Sequence, residues 1–481
     1  MRWAGVQRLL GLLLMLFSVT FVPPLAVSLG TADGEALHFA ETLLITLAVG
    51  GSAWLPVRRV RTELKVRDGF LVVALYWSVL GFFGSLPLML GAHLSITDAV
   101  FEAVSGFTTT GATVIVGLEQ LPPSILYHRQ QLQWLGGMGV VVLAVAIIPM
   151  LGVGGMQLYR AETPGPVKDD KLSPRIMHTA RTLWFIYLGL TVVCALSYWV
   201  AGMSAFDAIG HAFSTIATGG YSTHDASLGY YHSFAIEMVA NVFMLLGSIN
   251  FAIHFAVWRY RDPRYYWRDA EVRTFLLIVL VFSVLVAGTL VVTAAYGSAA
   301  EALRDATFQV ISVITTTGYT TESYWNWPLY VPLAIAVISY IGGCAGSTAG
   351  GMKVVRIILL YKQGMRETFR LIHPRAEQPL KLGGKAVSDA VMNSVWGFYS
   401  LYILSSLVLT GAMMAAGLDL ESAFGAVTAS INLLGPGLGE VASSFATVPD
   451  SVKWMAVFAM LLGRLEVFTL FVLFTPAFWR K

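Results

Sequence analysis

Thr316-Thr317-Gly318-Tyr319-Thr320, set just behind an apolar helical stretch, decides how this chain is read, because its pattern occurs four times. Thr109-Thr110-Gly111-Ala112-Thr113 and Thr218-Gly219-Gly220-Tyr221-Ser222 follow it closely, and Leu433-Leu434-Gly435-Pro436-Gly437 keeps the glycine but not the hydroxyl. Gly111, Gly220, Gly318 and Gly435 fall at one equivalent position, spaced by roughly 100 to 120 residues. That spacing is room for two membrane-crossing helices, a half-span helix and connections. Asp98-Ala99, Asp207-Ala208 and Asp305-Ala306 each stand about thirteen residues before the glycine, and Ser422-Ala423, with Glu421 beside it, stands there in the fourth copy. A fixed offset of this kind marks internal repeats. Asp and Ser are favoured helix caps, so a helix of about three turns is expected to lead into each loop, its C-terminal dipole directed at a shared axis and favouring a cation.

Composition puts these loops in a membrane. Of 481 residues, 56% are hydrophobic and 12% charged, about half the charged share of a soluble domain, and the mean hydropathy is +0.69. The runs from Leu9 to Leu29, Phe70 to Leu90, Thr274 to Thr293 and Met455 to Phe474 are long enough to cross a bilayer as helices. Arg2 and Arg8 precede an apolar run longer than a signal-peptide core and without a small-residue cleavage site, so it reads as a retained first helix. Cys194 and Cys344, the two cysteines, lie in apolar or glycine-rich sequence and suggest neither a disulfide framework nor a metal site.

Basic residues cluster in five places: Arg58 to Arg67, Arg160 to Arg181, Arg259 to Arg273, Lys353 to Lys385, and Arg480 with Lys481. The intervening segments are poor in them, Arg129, Arg304 and Lys453 being the main ones. The positive-inside rule makes the clusters cytoplasmic and the loops external. The expected fold is an all-α polytopic membrane protein of about ten spans with both termini cytoplasmic. Residues 1–66 form an N-terminal transmembrane hairpin. Pore repeats of span, pore helix and span follow over 67–165, 166–265, 266–380 and 381–481, related by pseudo-fourfold symmetry about an axis normal to the membrane. Irregular backbone at membrane depth is tolerated where it lines a polar cavity or is buried in protein.

The loops carry the outline of the TVGYG loop, whose backbone carbonyls replace the hydration shell of K⁺. Glycine tolerates the φ > 0 that turns successive carbonyls inward. Thr109, Thr218 and Thr316, two residues before the glycine, can each add a hydroxyl oxygen; Leu433 cannot, so the cytoplasm-facing end of the filter is expected to be less symmetric. The filter set is thus Thr109, Thr110, Gly111, Thr218, Gly219, Gly220, Thr316, Thr317, Gly318, Asn432, Leu433, Leu434 and Gly435, with K⁺ held through Thr110, Gly111, Thr218, Gly219, Thr316, Thr317, Leu433 and Leu434. No carboxylate stands inside the loops, which argues against a filter of acidic side chains.

On these motifs the chain resembles the membrane subunit of the bacterial Trk/Ktr potassium uptake family, closest to the Trk type, over essentially its whole length. The resemblance is carried by the N-terminal hairpin, by Gly342-Gly343-Cys344-Ala345-Gly346-Ser347-Thr348-Ala349-Gly350-Gly351-Met352-Lys353, by Gly463-Arg464-Leu465-Glu466, and by Asn432 with Gly435-Pro436-Gly437-Leu438-Gly439-Glu440. Leu433 and Leu434 depart from it, since family members more often have a polar residue there. The resemblance implies the bacterial inner membrane, a homodimer in membrane lipid, and a cytosolic ring of RCK-type nucleotide-binding domains. Nucleotide would act only through that partner, and no cofactor is bound covalently. The basic stretches Arg160 to Arg181 and Arg259 to Arg273 are candidate docking surfaces for it, though topology setting also accounts for their charge.

Two features of the later repeats suggest gating. Five glycines within about ten residues from Gly342 cost roughly 1 kcal/mol each in a helix, so this span is expected to break; the small-xxx-small spacing of Gly342, Gly346 and Gly350 also suits close helix packing. Arg464 stands in an apolar span, where a cation needs partners or water. It serves either a structural ion pair or a cavity-facing contact with the Gly343 to Gly350 loop. Gly343, Gly346, Ser347, Thr348, Gly350 and Arg464 are the gate candidates. Glu466, two residues on, faces elsewhere. Glu237, Asn241 and His254 carry no assigned role, and Trp134, Trp184, Trp325 and Trp327 are expected in interfacial belts.

The function these features favour is K⁺ uptake through a gated, channel-like pore. The alternative is a K⁺ symporter coupled to H⁺ or Na⁺, which commonly uses discontinuous helices at midplane. No nucleophile–base pair, metal motif or phosphate loop speaks for an enzyme, and nothing points to nucleic acid.

Overall fold

The structure, a computed structural model, describes residues 2–60, 65–142, 173–375 and 378–480. Arg61, Arg160, Lys168, Lys171, Lys481 and the expected boundary at 165/166 lie outside these residues, as does most of the Arg160 to Arg181 docking candidate.

The chain begins with α1 (Trp3–Ser18) and α2 (Val22–Thr31), joined by one 3-10 turn into a nearly continuous span, and returns through α3 (Ala36–Trp54). α1 and α3 pack backbone to backbone: a Cβ added to Gly11 would stand 2.8 Å from the Gly50 carbonyl oxygen. Such closeness needs glycine on both helices.

The rest repeats one unit. α4 (Val66–Gly84) and α5 (Leu86–Leu90) lead to the half-span helix α6 (Ile96–Phe107) and the outgoing α7 (Pro123–Val142). α8 (Ser173–Val200), α9 (Ala205–Ile216), α10 (Phe234–Gly247) and α11 (Phe251–Tyr260) form the second unit. After the short α12 (Arg264–Arg268), the third holds α13 (Ala270–Val292), α14 (Ala299–Ile314), α15 (Val331–Ile338) and α16 (Val354–Ile372). A two-stranded hairpin, β1 (Lys381–Leu382) with β2 (Lys385–Ala386), precedes α17 (Asp389–Ala415), α18 (Leu420–Ile431), α19 (Asp450–Arg464), α20 (Phe468–Phe474) and α21 (Pro476–Trp479). Among the described residues six helices are long and apolar enough to cross a membrane, and two bent pairs raise the number to eight. By that measure α7 and the interrupted pair α15 and α16 are not among them.

The half-span helices α6, α9, α14 and α18 start on well-made caps, but not where the repeat pattern places them. The caps are Ser95, Ser204 and Asp419, whose side chains accept from the backbone N–H of Asp98, Asp207 and Ser422 at 3.1, 3.1 and 3.2 Å. In these three units the repeated offset therefore marks the third helical residue; in the first two an acidic side chain there suits the helix dipole and accepts from the cap hydroxyl, at 2.9 Å for Ser95–Asp98 and 2.8 Å for Ser204–Asp207. In the third unit Ser298 is the cap, bonded to Ala300 N–H at 3.2 Å, and Asp305 lies in the second turn.

Breaks are commoner than the glycine count suggests. α10 and α11 meet at 95°, and α19 and α20 at 115°. The run expected to continue through Met455 to Phe474 turns at Glu466 and Val467, both at positive φ. Trp134, expected in an interfacial belt, instead packs inward, stacked on Phe213 at 5.2 Å and donating from its indole N–H to the Thr191 hydroxyl.

Candidate functional site

Each half-span helix ends in the same backbone figure. The residue at the first loop position turns left-handed, with φ of 57° at Thr109, 52° at Thr218, 54° at Thr316 and 60° at Leu433. The next N–H reaches back into the helix: Thr110, Gly219, Thr317 and Leu434 donate to the carbonyls of Ser105, Ser214, Ser312 and Ala429 at 2.8 to 2.9 Å. Gly111, Gly220, Gly318 and Gly435 then adopt φ of 84°, 76°, 80° and 96°. Alternating hands in this way turns successive carbonyls to one side of the chain.

The four loops meet in cyclic order. A Cβ on Gly111 would come within 2.1 Å of the Gly219 carbonyl oxygen, and one on Gly220 within 1.8 Å of that of Thr317. One on Gly318 would come within 1.9 Å of the Leu434 oxygen, and one on Gly435 within 2.9 Å of that of Thr110. Each glycine thus faces the carbonyl of the following unit, and the last closes on the first. On one side of this ring opens a vestibule of about 500 Å³, bordered by the four glycines, His224 and Glu322. Burial, then the neighbouring Asp305, holds the Glu322 carboxyl above its usual range, with His232 partly opposing.

The loops are braced in two ways. In the first and third, Ser105 and Ser312 donate to the carbonyls of Ala112 and Tyr319 at 2.6 Å, and the hydroxyl pairs Thr108–Thr110 and Thr315–Thr317 stand at 2.8 Å. The second loop is held from outside by Gln133 of α7: its Nε2 donates to the Gly219 carbonyl at 2.6 Å and its Oε1 accepts from the Tyr221 N–H at 3.0 Å. The fourth is held by Tyr402, whose hydroxyl donates to Asn432 Oδ1 at 2.7 Å, while Asn432 Nδ2 donates to the Ser339 hydroxyl at 2.7 Å. The Asn432 side chain therefore serves as a strut behind its loop.

Behind the first two loops lies a buried ion pair. Arg129 Nε and Nη2 reach Glu102 Oε1 at 2.8 and 2.6 Å, with both side chains at most 1% exposed. Glu102 Oε2 accepts from the Val114 N–H at 2.9 Å, and the guanidinium lies 4.2 Å from the Tyr221 ring centroid. In the sequence Arg129 stands out only as a sparse external charge, and Glu102 and Gln133 do not stand out in any motif. A carboxylate inside an apolar half-span helix was the available signal, because a charge in such a place requires a partner. Glu237, left unassigned, holds Arg304 of α14 through bonds of 2.6 and 2.7 Å.

On the other side of the ring, the backbone from Ser339 to Lys353 is not helical. Gly342, Gly346 and Gly351 have φ of 71° to 72°, so the small-residue spacing does not serve a helix face here. This segment sits directly against three of the four loops. The Gly350 N–H donates to the Thr316 hydroxyl at 2.6 Å, and the Thr348 hydroxyl accepts from Thr218 Oγ1 at 3.2 Å. A Cβ on Gly350 would meet the Asn432 carbonyl oxygen at 2.1 Å and Leu433 Cβ at 3.0 Å. Two of the three loop-threonine hydroxyls are thus engaged by the segment. The third, that of Thr109, is buried with no hydrogen-bond partner among the described residues.

The segment is anchored along its length. Cys344 N–H donates to the Ser248 carbonyl at 2.9 Å, Phe251 N–H to that of Gly346 at 3.1 Å, and Val354 N–H to that of Gly343 at 3.0 Å. Ser347 Oγ closes a local turn on the Cys344 carbonyl at 2.6 Å, and Glu271 Oε1 accepts from the N–H groups of Ala345 and Val355.

Arg464 donates to the carbonyls of Thr348 at 3.1 Å and Gly136 at 3.4 Å, and it lies 5.3 Å from the Trp77 ring. Among the described residues it forms no ion pair, so the cavity-facing contact is the arrangement found. Glu466 pairs instead with Arg356 at 2.8 Å. Gly350, Lys353, Phe398, Leu433, Arg464 and Glu466 border a cavity of about 50 Å³.

The chain also matches known proteins. The family model described as TrkH, a cation transport protein, matches residues 36–481. The chain is similar to the Trk system potassium uptake protein TrkH of Halomonas elongata, with 54% identity over 478 residues and 99% of both chains covered. It is 51% identical over 483 residues to that of Escherichia coli K12, covering all of both chains. Among solved structures, the crystal structure of the potassium transporter TrkH from Vibrio parahaemolyticus matches with a TM-score of 0.93, 50% identity and full coverage of both chains.

Proposed function

The chain belongs to the TrkH family of cation transport proteins, and from this premise we propose that it takes up K⁺ through a gated pore whose selectivity filter is the ring of four loops. The observation that carries the proposal is the cyclic approach of Gly111, Gly220, Gly318 and Gly435 to the carbonyls of the next unit. A cation on that axis would trade hydration water for carbonyl oxygens, supplied by Thr110, Gly111, Thr218, Gly219, Thr316, Thr317, Leu433 and Leu434. The half-span helices add the negative ends of their dipoles.

The Ser339 to Lys353 segment is the gate in this reading. It lies across the path below the ring, and Arg464 holds it while adding positive charge to the cavity that ions must cross. Conduction then requires the Thr348 and Gly350 contacts to release. The four repeats run over 67–165, 166–265, 266–380 and 381–481 behind the hairpin of 1–66, with the vestibule external and both termini in the cytoplasm of a bacterium. The protein works as a homodimer in the inner membrane under a cytosolic RCK-type subunit that binds the nucleotide.

Coupled transport with H⁺ or Na⁺ is the second reading, and the bends at α10/α11 and α19/α20 favour it, since discontinuous helices are the usual scaffold of coupled carriers. K⁺ flux into proteoliposomes with competing Na⁺ and Rb⁺, joined to single-channel recording, tests both. Unitary currents selective for K⁺ support the pore. Stoichiometric H⁺ or Na⁺ movement without unitary currents would replace it with the symporter.

A further inference from the structure

One loop position is occupied differently from the other three. Thr110, Thr317 and Leu434 carry side chains, whereas the equivalent residue of the second loop is Gly219. Gly219 is not among the residues of positive φ, so its backbone does not demand glycine. What excludes a side chain is Gln133: a Cβ on Gly219 would stand 2.4 Å from Gln133 Cδ, 2.5 Å from Oε1 and 2.8 Å from Nε2.

The Gln133 amide, fully buried, fills that space and uses it. Its Nε2 donates at 2.6 Å to the Gly219 carbonyl, the same oxygen that faces Gly111 in the ring. Oε1 takes the Tyr221 N–H, and this pairing fixes which end of the amide is which. Among the described residues, no side-chain donor reaches the carbonyls of Thr110, Thr317 or Leu434, unlike that of Gly219. One oxygen of the ring therefore shares its lone pairs with an N–H dipole, which weakens the field it offers a cation.

We propose that Gln133, through its bond to the Gly219 carbonyl, is a positioning residue that sets cation discrimination in the second loop, with Gly219 present to make room for it. The proposal rests on the filter reading above. Weak-field oxygens favour larger, more easily dehydrated cations, and selectivity depends on the number and field strength of coordinating dipoles. Freeing the Gly219 oxygen should move discrimination toward Na⁺ and away from Rb⁺.

The test is K⁺, Na⁺ and Rb⁺ uptake by the full-length chain in proteoliposomes, for Gln133→Glu, Gln133→Leu, Gly219→Thr, the double variant Gln133→Ala/Gly219→Thr, and Gly318→Ser as a reference. Gln133→Leu removes the donor outright, whereas Gln133→Glu keeps shape and the acceptor for Tyr221 and replaces the amide donor with a carboxyl that donates only when protonated. The expected result is a several-fold fall in the ratio of KM for Na⁺ to KM for K⁺ in Gln133→Glu and Gln133→Leu, with maximal flux changed less than the ratio. Gly219→Thr alone should be more impaired than the double variant, which relieves the clash. Unchanged KM ratios in the Gln133 variants, while Gly318→Ser shifts its own, overturn the role of Gln133 and leave the filter standing. Unchanged ratios in all of them overturn the filter reading as well. If no Gln133 variant yields monodisperse protein, the amide is a strut alone and the proposal fails.

Discussion

Arg464 Nη1 donates to the carbonyl oxygen of Thr348 at 3.1 Å, and the Thr348 hydroxyl in turn holds the carbonyls of Ile216 and Gly247 at 3.0 Å each. The last span, the unwound segment and the second half-span helix are thereby tied through one residue. Arg464→Ala removes both the tie and a buried cation. The expected outcome is K⁺ flux in proteoliposomes at least tenfold above the parent without any regulatory subunit. Flux equal to the parent's removes Arg464 from the gate.

Thr348→Val isolates the hydroxyl, because the two side chains are close in volume. It loses one O–H donor, shared between the Ile216 and Gly247 carbonyls, and the acceptor for Thr218; a single bond of this kind contributes about 0.5–1.5 kcal/mol net. Resting flux should rise by roughly tenfold, since about 1.4 kcal/mol is a factor of ten. Tracer uptake measures it, and a variant as tight as the parent shows that the segment is held elsewhere.

Gly318→Ser puts a Cβ 1.9 Å from the Leu434 carbonyl oxygen and forces a side chain to φ of 80°. Both effects displace the ring. Discrimination of K⁺ over Na⁺ should fall by an order of magnitude in competition uptake, and retained discrimination would count against a ring of selecting carbonyls.

The Glu102–Arg129 pair predicts a stability effect with a distinctive sign pattern. Removing one partner strands a charge and costs about 3–5 kcal/mol, whereas replacing both with apolar or neutral groups is far milder. Thermal unfolding in detergent should therefore fall steeply for Glu102→Gln and for Arg129→Met, and recover in the double variant. Additive losses would show that the two act separately.

Asp33, between α2 and α3, gives a pH prediction outside the spans. Burial raises its carboxyl pKa, but bonds from the Ser28 hydroxyl and from the Ser124 and Glu35 N–H groups outweigh it, and the net shift is downward. A folded pKa below the unfolded value, about 3.9, means a stabilising contribution that is complete above that value and lost as pH falls through the folded pKa. Acid unfolding of the parent should thus be steeper below about pH 4 than that of Asp33→Asn, and parallel acid transitions would remove the carboxylate from the hairpin's anchorage.

Sequence and structure agree where chemistry is local. The repeat glycines and the positive φ they adopt follow from the absence of a side chain, so Thr-x-Gly periodicity placed the loops without a fold. The same holds for the break at Gly342 to Gly351, where helix propensity alone argues. What is not legible in the sequence depends on partners distant in the chain. Gln133 and Gly219 are 86 residues apart, and Arg356 and Glu466 are 110 apart, so neither pairing has a sequence period. The bend after Arg464 was hidden because Leu465 and Val467 look like ordinary span residues, and its left-handed turn is imposed by tertiary packing. The caps of the first, second and fourth half-span helices lie one turn before the repeated residue for a simpler reason: cap and third helical residue are both polar, and the repeat is carried by the one inside the helix.

The ring in which each glycine faces the next unit's carbonyl also bears on biosynthesis. Its closing contact joins Gly435 to Thr110, 325 positions earlier in the chain. A nascent chain emerging N-terminus first can seat three loops against one another, yet the first and third lack a neighbour until the final hundred residues are inserted. The order of translation therefore leaves the ring open until the fourth unit is in place, and a product terminated before that point lacks the contact that closes it.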